Sequence, residues 1–255
     1  MAFSTLSTRD DWGRPRRYRS AGEAWLAPTG GNDSHTTTLL HFDGAAGSSL
    51  LLDSSRYQRA FSAYGNVTLT DARSTALNGI CAVMNGGSSI STSDSNELVI
   101  GTSAFTDEIR CWPTSIEGTA AILERRPDGS NTGYVLRINN YAWEVAIGTT
   151  ASLASSQMPS MSQFTHLAVV GNGGADGART LKLYVDGVCV GTSITDYNFS
   201  STMLKLGAYY LGGENYSGYL DECRLSLHDR TADPHDPLYI PSGSTTFTPP
   251  TAAYH

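Results

Sequence analysis

The residues best placed to do chemistry lie in the run FTDEIRCWP at positions 105–113. Alternate side chains of an extended strand share a face, so Glu108, Arg110 and Trp112 point the same way. A carboxylate, a guanidinium and an indole on one surface suit a saccharide, because sugar sites set a few aimed polar groups beside an aromatic platform. Arg137, Lys182 and Tyr184 can join that face, and Tyr209, Tyr210, Tyr216 and Tyr219 flank a Gly-rich stretch (207–218) as a rim. The competing reading of the same residues is a solvated strand face or a protein contact. Other chemistries find less support. No GxSxG elbow is present, and GNGGADG (171–177) joins two strand-like runs with no helix after it, which marks a hairpin loop over a phosphate cradle.

The elements that must position these groups are strands. In LKLYVDGVCVGT, Leu181, Leu183 and Val185 alternate with polar residues, and the apolar pattern resumes at Val188. An Asp186-Gly187 pair between two such runs signals a tight hairpin. Strand-like segments start at Thr37 and run through TTTLLHFD (36–43), SSLLLDSS (48–55), FSAYGNVTLTD (61–71), ICAVMNGGSSIS (80–91), ELVIG (97–101) and the 105–113 run ended by Pro113. They continue through a hairpin over 120–139 around Asp128-Gly129, then 141–148, 164–172 and 219–227. Twelve to fourteen strands with turn signals near every ten residues predict a sandwich. In the 105–113 run, parity also places Asp107 with Phe105, Ile109 and Cys111 on the core face, which requires a later strand start or a bulge.

Composition sets the limits. The 255 residues carry a net charge of −7, with 16% charged residues and only two lysines, Lys182 and Lys205. That argues against nucleic-acid binding. The first twenty residues lack the apolar core of a signal peptide, and no apolar run approaches a membrane span. The expectation is therefore a soluble protein made in a cytoplasm, without membrane insertion. Cys81, Cys111, Cys189 and Cys223 form no CxxC pair and lie in apolar runs, so they read as small buried hydrophobes.

Both ends differ from the middle. Residues 1–36 are basic and aperiodic. They are a disordered tail, or an arm ordered on an acidic neighbouring subunit through Trp12, Arg14, Arg16, Arg17, Tyr18, Arg19 and Trp25. Residues 230–255 are rich in Pro, Ser and Thr and read as an extended, unpacked tail; DPHDP (233–237) within it is a weak transition-metal candidate.

Four segments in order, LLHFDG (39–44), FTDEIRCWP, FTHLAVVGNGGADGARTLKLYVDGVCVGT (164–192) and GYLDECRLS (218–226), resemble the laminin-G-like, concanavalin A-like lectin/glucanase superfamily over about 37–229. The resemblance implies an all-β, antiparallel, jelly-roll-like sandwich. Phe164 and Arg110 stand where the family often has Trp. Glucanases of the superfamily carry two carboxylates two to four residues apart on one strand. Glycoside hydrolysis needs such a pair across the scissile bond, and Glu108 has no second carboxylate following on its face. Asp221 and Glu222 are adjacent and would point to opposite sides. The resemblance also raises calcium, with Asp43, Asp53, Asp186 and Asp221 as candidate ligands. The alternative is that these aspartates bond nearby backbone amides.

LLHFDG before such a domain and a Pro/Thr tail such as FTPPTAAY after it are similar to bacteriophage virion proteins. The resemblance thus implies a non-enzymatic virion protein, a capsid decoration or tail-associated adhesin. It would dock to capsid or tail subunits by its arm, form a homo-oligomer and offer its sandwich to a host-surface glycan. A soluble, calcium-dependent lectin is the alternative and a divergent glycosidase the third reading.

Overall fold

The computed structural model describes residues 32–73, 77, 79–128 and 130–254. The arm residues Trp12, Arg14, Arg16, Arg17, Tyr18, Arg19 and Trp25 lie outside them, as does Gly129 of the predicted hairpin turn.

Fifteen strands are described: β1 (Thr36–Leu40), β2 (Phe61–Tyr64), β3 (Thr68–Thr70), β4 (Cys81–Asn85), β5 (Ser89–Thr92), β6 (Ala104–Pro113), β7 (Thr119–Glu124), β8 (Tyr134–Asn139), β9 (Ala142–Ile147), β10 (Thr150–Ala154), β11 (Thr165–Asn172), β12 (Thr180–Val185), β13 (Val188–Ile194), β14 (Lys205–Leu206) and β15 (Ser217–Ser226). They form two antiparallel sheets. The eight-stranded sheet runs β13-β12-β11-β6-β15-β4-β3, with β1 also on β15; the seven-stranded sheet runs β10-β9-β8-β7-β14-β5-β2. The predicted all-β sandwich is the observed architecture. Among the described residues no helix is long and apolar enough to cross a membrane.

The alternation read in the sequence builds the interior. Leu181, Leu183 and Val185 of β12 share one continuous core with Trp143 and Val145 of β9, which also holds Phe105, Tyr134, Ile90 and Leu206. Asp186 and Gly187 turn the β12–β13 hairpin with φ of +48° and +79°, the two positive values a type I′ turn needs. Asp107 does face inward on an unbroken β6. Its carboxylate accepts from Arg125 Nη1 at 2.9 Å and from the Tyr134 hydroxyl at 2.6 Å, so a buried charge is paired instead of avoided. The irregularity lies on the neighbour, where β15 shifts register against β6 between Asp221 and Arg224. Glu222 sits there at φ +45°. A one-residue shift exchanges faces, and here it sends Cys223 into the core and Arg224 to the outer side beside Glu108.

Several segments depart from the sequence reading. Residues 61–71 and 80–91 each break at a Gly turn into two strands that belong to different sheets. Residues 48–55 contribute only isolated bridges, and 97–101 begins in a 3-10 turn, Asn96–Leu98. Cys81, Cys111 and Cys223 are buried and Cys189 half-buried, all as free thiols.

The largest correction concerns the C-terminal tail. It is extended, as its prolines require, but it is packed: Leu238, Phe247, Ala253 and Tyr254 are buried. Arg230 anchors its start, donating to Asp33 at 2.8 Å and Asp236 at 2.6 Å. Thr246 then bridges to Val188 at the sheet edge.

Candidate functional site

The face predicted to bind a glycan is the outer face of the eight-stranded sheet, and the tail covers it. Glu108 is fully buried. Its carboxylate accepts from Arg224 Nε at 2.7 Å and from the Tyr254 hydroxyl at 2.7 Å, and it meets His166 Nε2 at 3.1 Å. The Arg224 guanidinium lies 4.1 Å over the Tyr254 ring. Burial alone would raise the Glu108 carboxyl, but the Arg224 charge and His166 outweigh it and hold the group at about 2. Arg110 donates to the Pro250 carbonyl of the tail. Tyr184 is buried under Phe247, with ring centroids 5.3 Å apart. A Cβ on Gly187 would stand 2.0 Å from the Phe247 carbonyl oxygen, so this glycine serves both the turn and the close approach of the tail.

The remaining members of the predicted set scatter. Trp112 lies on the same outer face, where Arg73 sits 4.3 Å from its ring and its indole N–H donates to the Met161 carbonyl at 2.7 Å. Lys182 is half-buried on β12. Tyr216 is a fully buried core residue whose hydroxyl donates to the Tyr219 carbonyl. Arg137 belongs to the other sheet, where it pairs with Glu144 at 2.7 Å. Parity along one strand was right. It carries no information about which segment later covers the face.

Three of the four candidate calcium aspartates bond backbone amides, and the fourth, Asp43, is exposed. Asp53 accepts from the amides of Leu39, Ser55 and Arg59 at 2.9–3.0 Å. Asp186 accepts from the His166 amide at 2.8 Å and Asp221 from the Leu77 amide at 2.8 Å. Among the described residues no group of three or more His, Cys, Asp or Glu converges on a metal position, so the four aspartates do not gather into one calcium site. Asp233 and Asp236 of DPHDP bond His228 and Arg230 instead. The bulge also breaks the alternation expected of Asp221 and Glu222. Glu222 accepts from the tail amide of Tyr254 and meets His41 Nδ1 at 3.0 Å. Burial pushes the Asp221 carboxyl up to about 7, against the Leu77 amide bond and with help from neighbouring Glu222.

The outer side of the seven-stranded sheet is covered over β7, β8 and β9, where Ala121, Val135 and Ala146 are buried, and open towards the edge strand β2. There β5, β14 and the loop 207–216 enclose a groove of about 540 Å³ lined by Tyr64, Ser89, Ser91, Lys205, Tyr210 and Asn215, a volume within the range of small-molecule clefts. Register places Ser89 opposite Tyr64 and Ser91 opposite both Ser62 and Lys205. The loop is built, not loose. Gly207 N–H donates to the Ile122 carbonyl and Tyr216 N–H to that of Gly207. Gly212 N–H donates to Tyr209, and Gly212 and Gly213 hold φ near +80°. Lys205 Nζ donates to the carbonyls of Tyr209 and Tyr210 at 3.3 and 3.0 Å. Tyr64 is 74% and Leu211 79% exposed at the mouth. Of this groove the sequence reading named only Tyr210, and Tyr209 beside it, with ring centroids 4.1 Å apart. Lys205 was visible as the polar member of the alternating Lys205-Leu206 pair. Tyr64, Ser89 and Ser91 were hidden by the undetected breaks inside 61–71 and 80–91.

Two antiparallel sheets packed face to face, with one loop bordering an open groove, define a lectin-like β-sandwich. A laminin-G-like family model of the concanavalin A-like lectin/glucanases superfamily matches residues 84–233, and the chain belongs to that superfamily. No curated protein matches it in sequence. Among solved structures, the binding domain of Paraclostridial mosquitocidal protein 1 superposes with a TM-score of 0.57 at 14% identity, covering 76% of this chain and 49% of that one. A botulinum neurotoxin type C structure, described as dependent on two ganglioside molecules for cell entry, gives 0.55 at 12%, covering 76% and 48%. Domain 4 of AbnA, an extracellular arabinanase from Geobacillus stearothermophilus, in complex with arabinotriose, gives 0.56 at 18%, covering 76% and 93%. The chain thus spans about half the length of the toxin structures and nearly all of the arabinanase domain. At these identities the likeness is one of fold.

Proposed function

We propose that this chain is a non-enzymatic carbohydrate-binding module displayed on a bacteriophage particle, and that it binds glycan in the groove between β5, β14 and the loop 207–216. One observation carries the binding reading. The groove is an open concavity that combines exposed aromatic and apolar groups, Tyr64 and Leu211, with polar groups, Ser89, Ser91, Lys205 and Asn215, lining one space. Structural neighbours described with arabinotriose or as ganglioside-dependent make saccharides the first ligand class to test. Support for a non-enzymatic role comes from Glu108, whose carboxylate is sealed under the tail with no route to a glycosidic bond. The virion reading rests on the resemblance of the LLHFDG entry and FTPPTAAY exit to phage proteins, with residues 1–36 as the arm that docks on capsid or tail subunits of a symmetric assembly.

Two measurements test this. On a glycan array, wild type gives signals that Tyr210→Ala loses while its melting temperature is unchanged; a blank array removes the binding reading. Imaging of purified particles places the protein on capsid or tail. Its absence there removes the virion reading and leaves a soluble lectin using the same groove.

A further inference from the structure

The charge of the groove narrows the ligand, on the footing of the glycan-binding reading above. Arg126, Arg137 and Lys205 are cations on the outer side of the seven-stranded sheet, the first of them buried. Arg126 is bidentate on Glu124, at 2.8 Å through both Nε and Nη2. Arg137 is bonded to Glu144 at 2.7 Å and lies 3.5 Å from Glu214. Both charges are neutralised in place. Among the described residues Lys205 has no carboxylate within 4.0 Å; it has two backbone carbonyls, those of Tyr209 and Tyr210. An ammonium carries three N–H donors, so one stays available to a ligand.

Glu124 stands directly across the β7–β14 register from Lys205, but its carboxylate is taken up by Arg126. No Asp or Glu lines the groove, although the chain carries 24 acidic residues and a net charge of −7. Ser89, Ser91 and Asn215 supply neutral donors and acceptors suited to sugar hydroxyls, and Tyr64, Tyr210 and Leu211 supply apolar cover. The two carbonyls also fix where the charge stands. A free lysine loses rotamer freedom when immobilised, and here the loop has ordered Nζ before any ligand arrives, which favours binding. We infer that the groove selects an acidic saccharide, a sugar whose ring carries a carboxylate, with that carboxylate on Lys205 and the sugar hydroxyls on Ser89, Ser91 and Asn215.

The test uses the full chain on an array spanning neutral, uronic-acid-containing and sialylated oligosaccharides, followed by titration of the strongest acidic ligand and its methyl ester. The expected result is signal on acidic glycans and affinity for the ester at least tenfold weaker than for the acid. Lys205→Gln removes that difference and Lys205→Arg keeps most of it. Acid binding also weakens as NaCl rises, because the pair is solvent-accessible. The comparison of acid with ester is made on wild type, so it stands even where a variant folds poorly. Equal affinity for acid and ester, or a difference that survives Lys205→Gln, overturns the inference and leaves glycan binding intact. A blank array overturns both. Whether uronic or sialic probes give the signal identifies the source of the carboxylate.

Discussion

The outer faces of the two sheets begin from the same sequence logic and end with opposite roles. On both, strand parity turns charged and aromatic residues away from the core. On the eight-stranded sheet those groups are sealed: Glu108, Arg224 and His166 are each at most 1% exposed, and residues from beyond position 228 cover them. On the seven-stranded sheet the charges are paired and largely buried too, Glu124 with Arg126 and Glu144 with Arg137, but among the described residues no tail segment covers the groove beside them, which stays open. Residue type made the first face the better-looking site. Coverage by a segment over a hundred residues away made it structural. Stability should therefore reside on the face beneath the tail and binding in the open groove.

Deleting residues 237–255 tests this most severely. It strips Leu238, Phe247 and Tyr254 from buried positions and uncovers Glu108, Arg224 and Tyr184. Losing one large buried side chain costs about 2–5 kcal/mol, so three approach the whole 5–15 kcal/mol of a typical domain. The expected outcome is insoluble protein or loss of a cooperative melt. A truncated chain that melts within a few degrees of wild type would show that the tail merely rests on the sheet.

Next in size is Glu108→Ala. It leaves the Arg224 guanidinium buried with its main partner gone, a situation that costs about 3–5 kcal/mol, read as a shift in the urea midpoint. The wild-type carboxyl adds a pH signature. Its pKa lies near 2 in the fold against 4.5 unfolded, so its stabilisation is complete above pH 4.5 and is lost as pH falls from 4.5 towards 2. Glu108→Ala should flatten that acid limb.

Asp221 slopes the other way. Its folded pKa, about 7 against 3.8, means that the fold holds a proton the unfolded chain has released. The contribution is complete below pH 3.8 and is withdrawn as pH rises to 7. Asp221→Asn, which keeps an acceptor for the Leu77 amide, should stabilise the protein at pH 8 by an amount on the order of a few kcal/mol and change little at pH 4. A variant equally destabilised at both values would mean that the ionised carboxylate is needed in place.

The class of fold was legible because it rests on local alternation. Leu181, Leu183 and Val185 read inward from sequence and lie inward in the structure, and Asp186-Gly187 forms the turn it announced. What was not legible depends on chain breaks and long-range contacts. Nothing local in FSAYGNVTLTD tells that Gly65 ends one sheet's strand and starts the passage to another. The bulge at Glu222 reverses parity without any Gly or Pro to mark it. The tail's prolines exclude regular hydrogen bonding but not burial, and Leu238, Phe247 and Tyr254 give too sparse an apolar pattern to reveal a packed strap. The site was half legible for the same reason: Tyr209 and Tyr210 stood out beside a Gly-rich loop, while Tyr64 and Ser91 reach the groove only through β2–β5 pairing.

The smallest expected change in stability sharpens the contrast most. Tyr64 is 74% exposed and stands on the edge strand β2, so Tyr64→Ser should move the melt by no more than about 0.5 kcal/mol, as exposed substitutions usually do. Its effect belongs to binding. Removing an aromatic wall at the mouth of the groove should weaken glycan affinity about tenfold, equivalent to about 1.4 kcal/mol. The matching change on the covered face, Tyr184→Ser, should do the reverse: it empties the space beneath Phe247 and lowers stability by about 3–5 kcal/mol, while the folded fraction binds normally. Isothermal titration and a thermal melt on both variants read the two quantities separately. If Tyr184→Ser weakens binding in protein that remains folded, or Tyr64→Ser leaves affinity unchanged, the roles assigned to the two faces are exchanged.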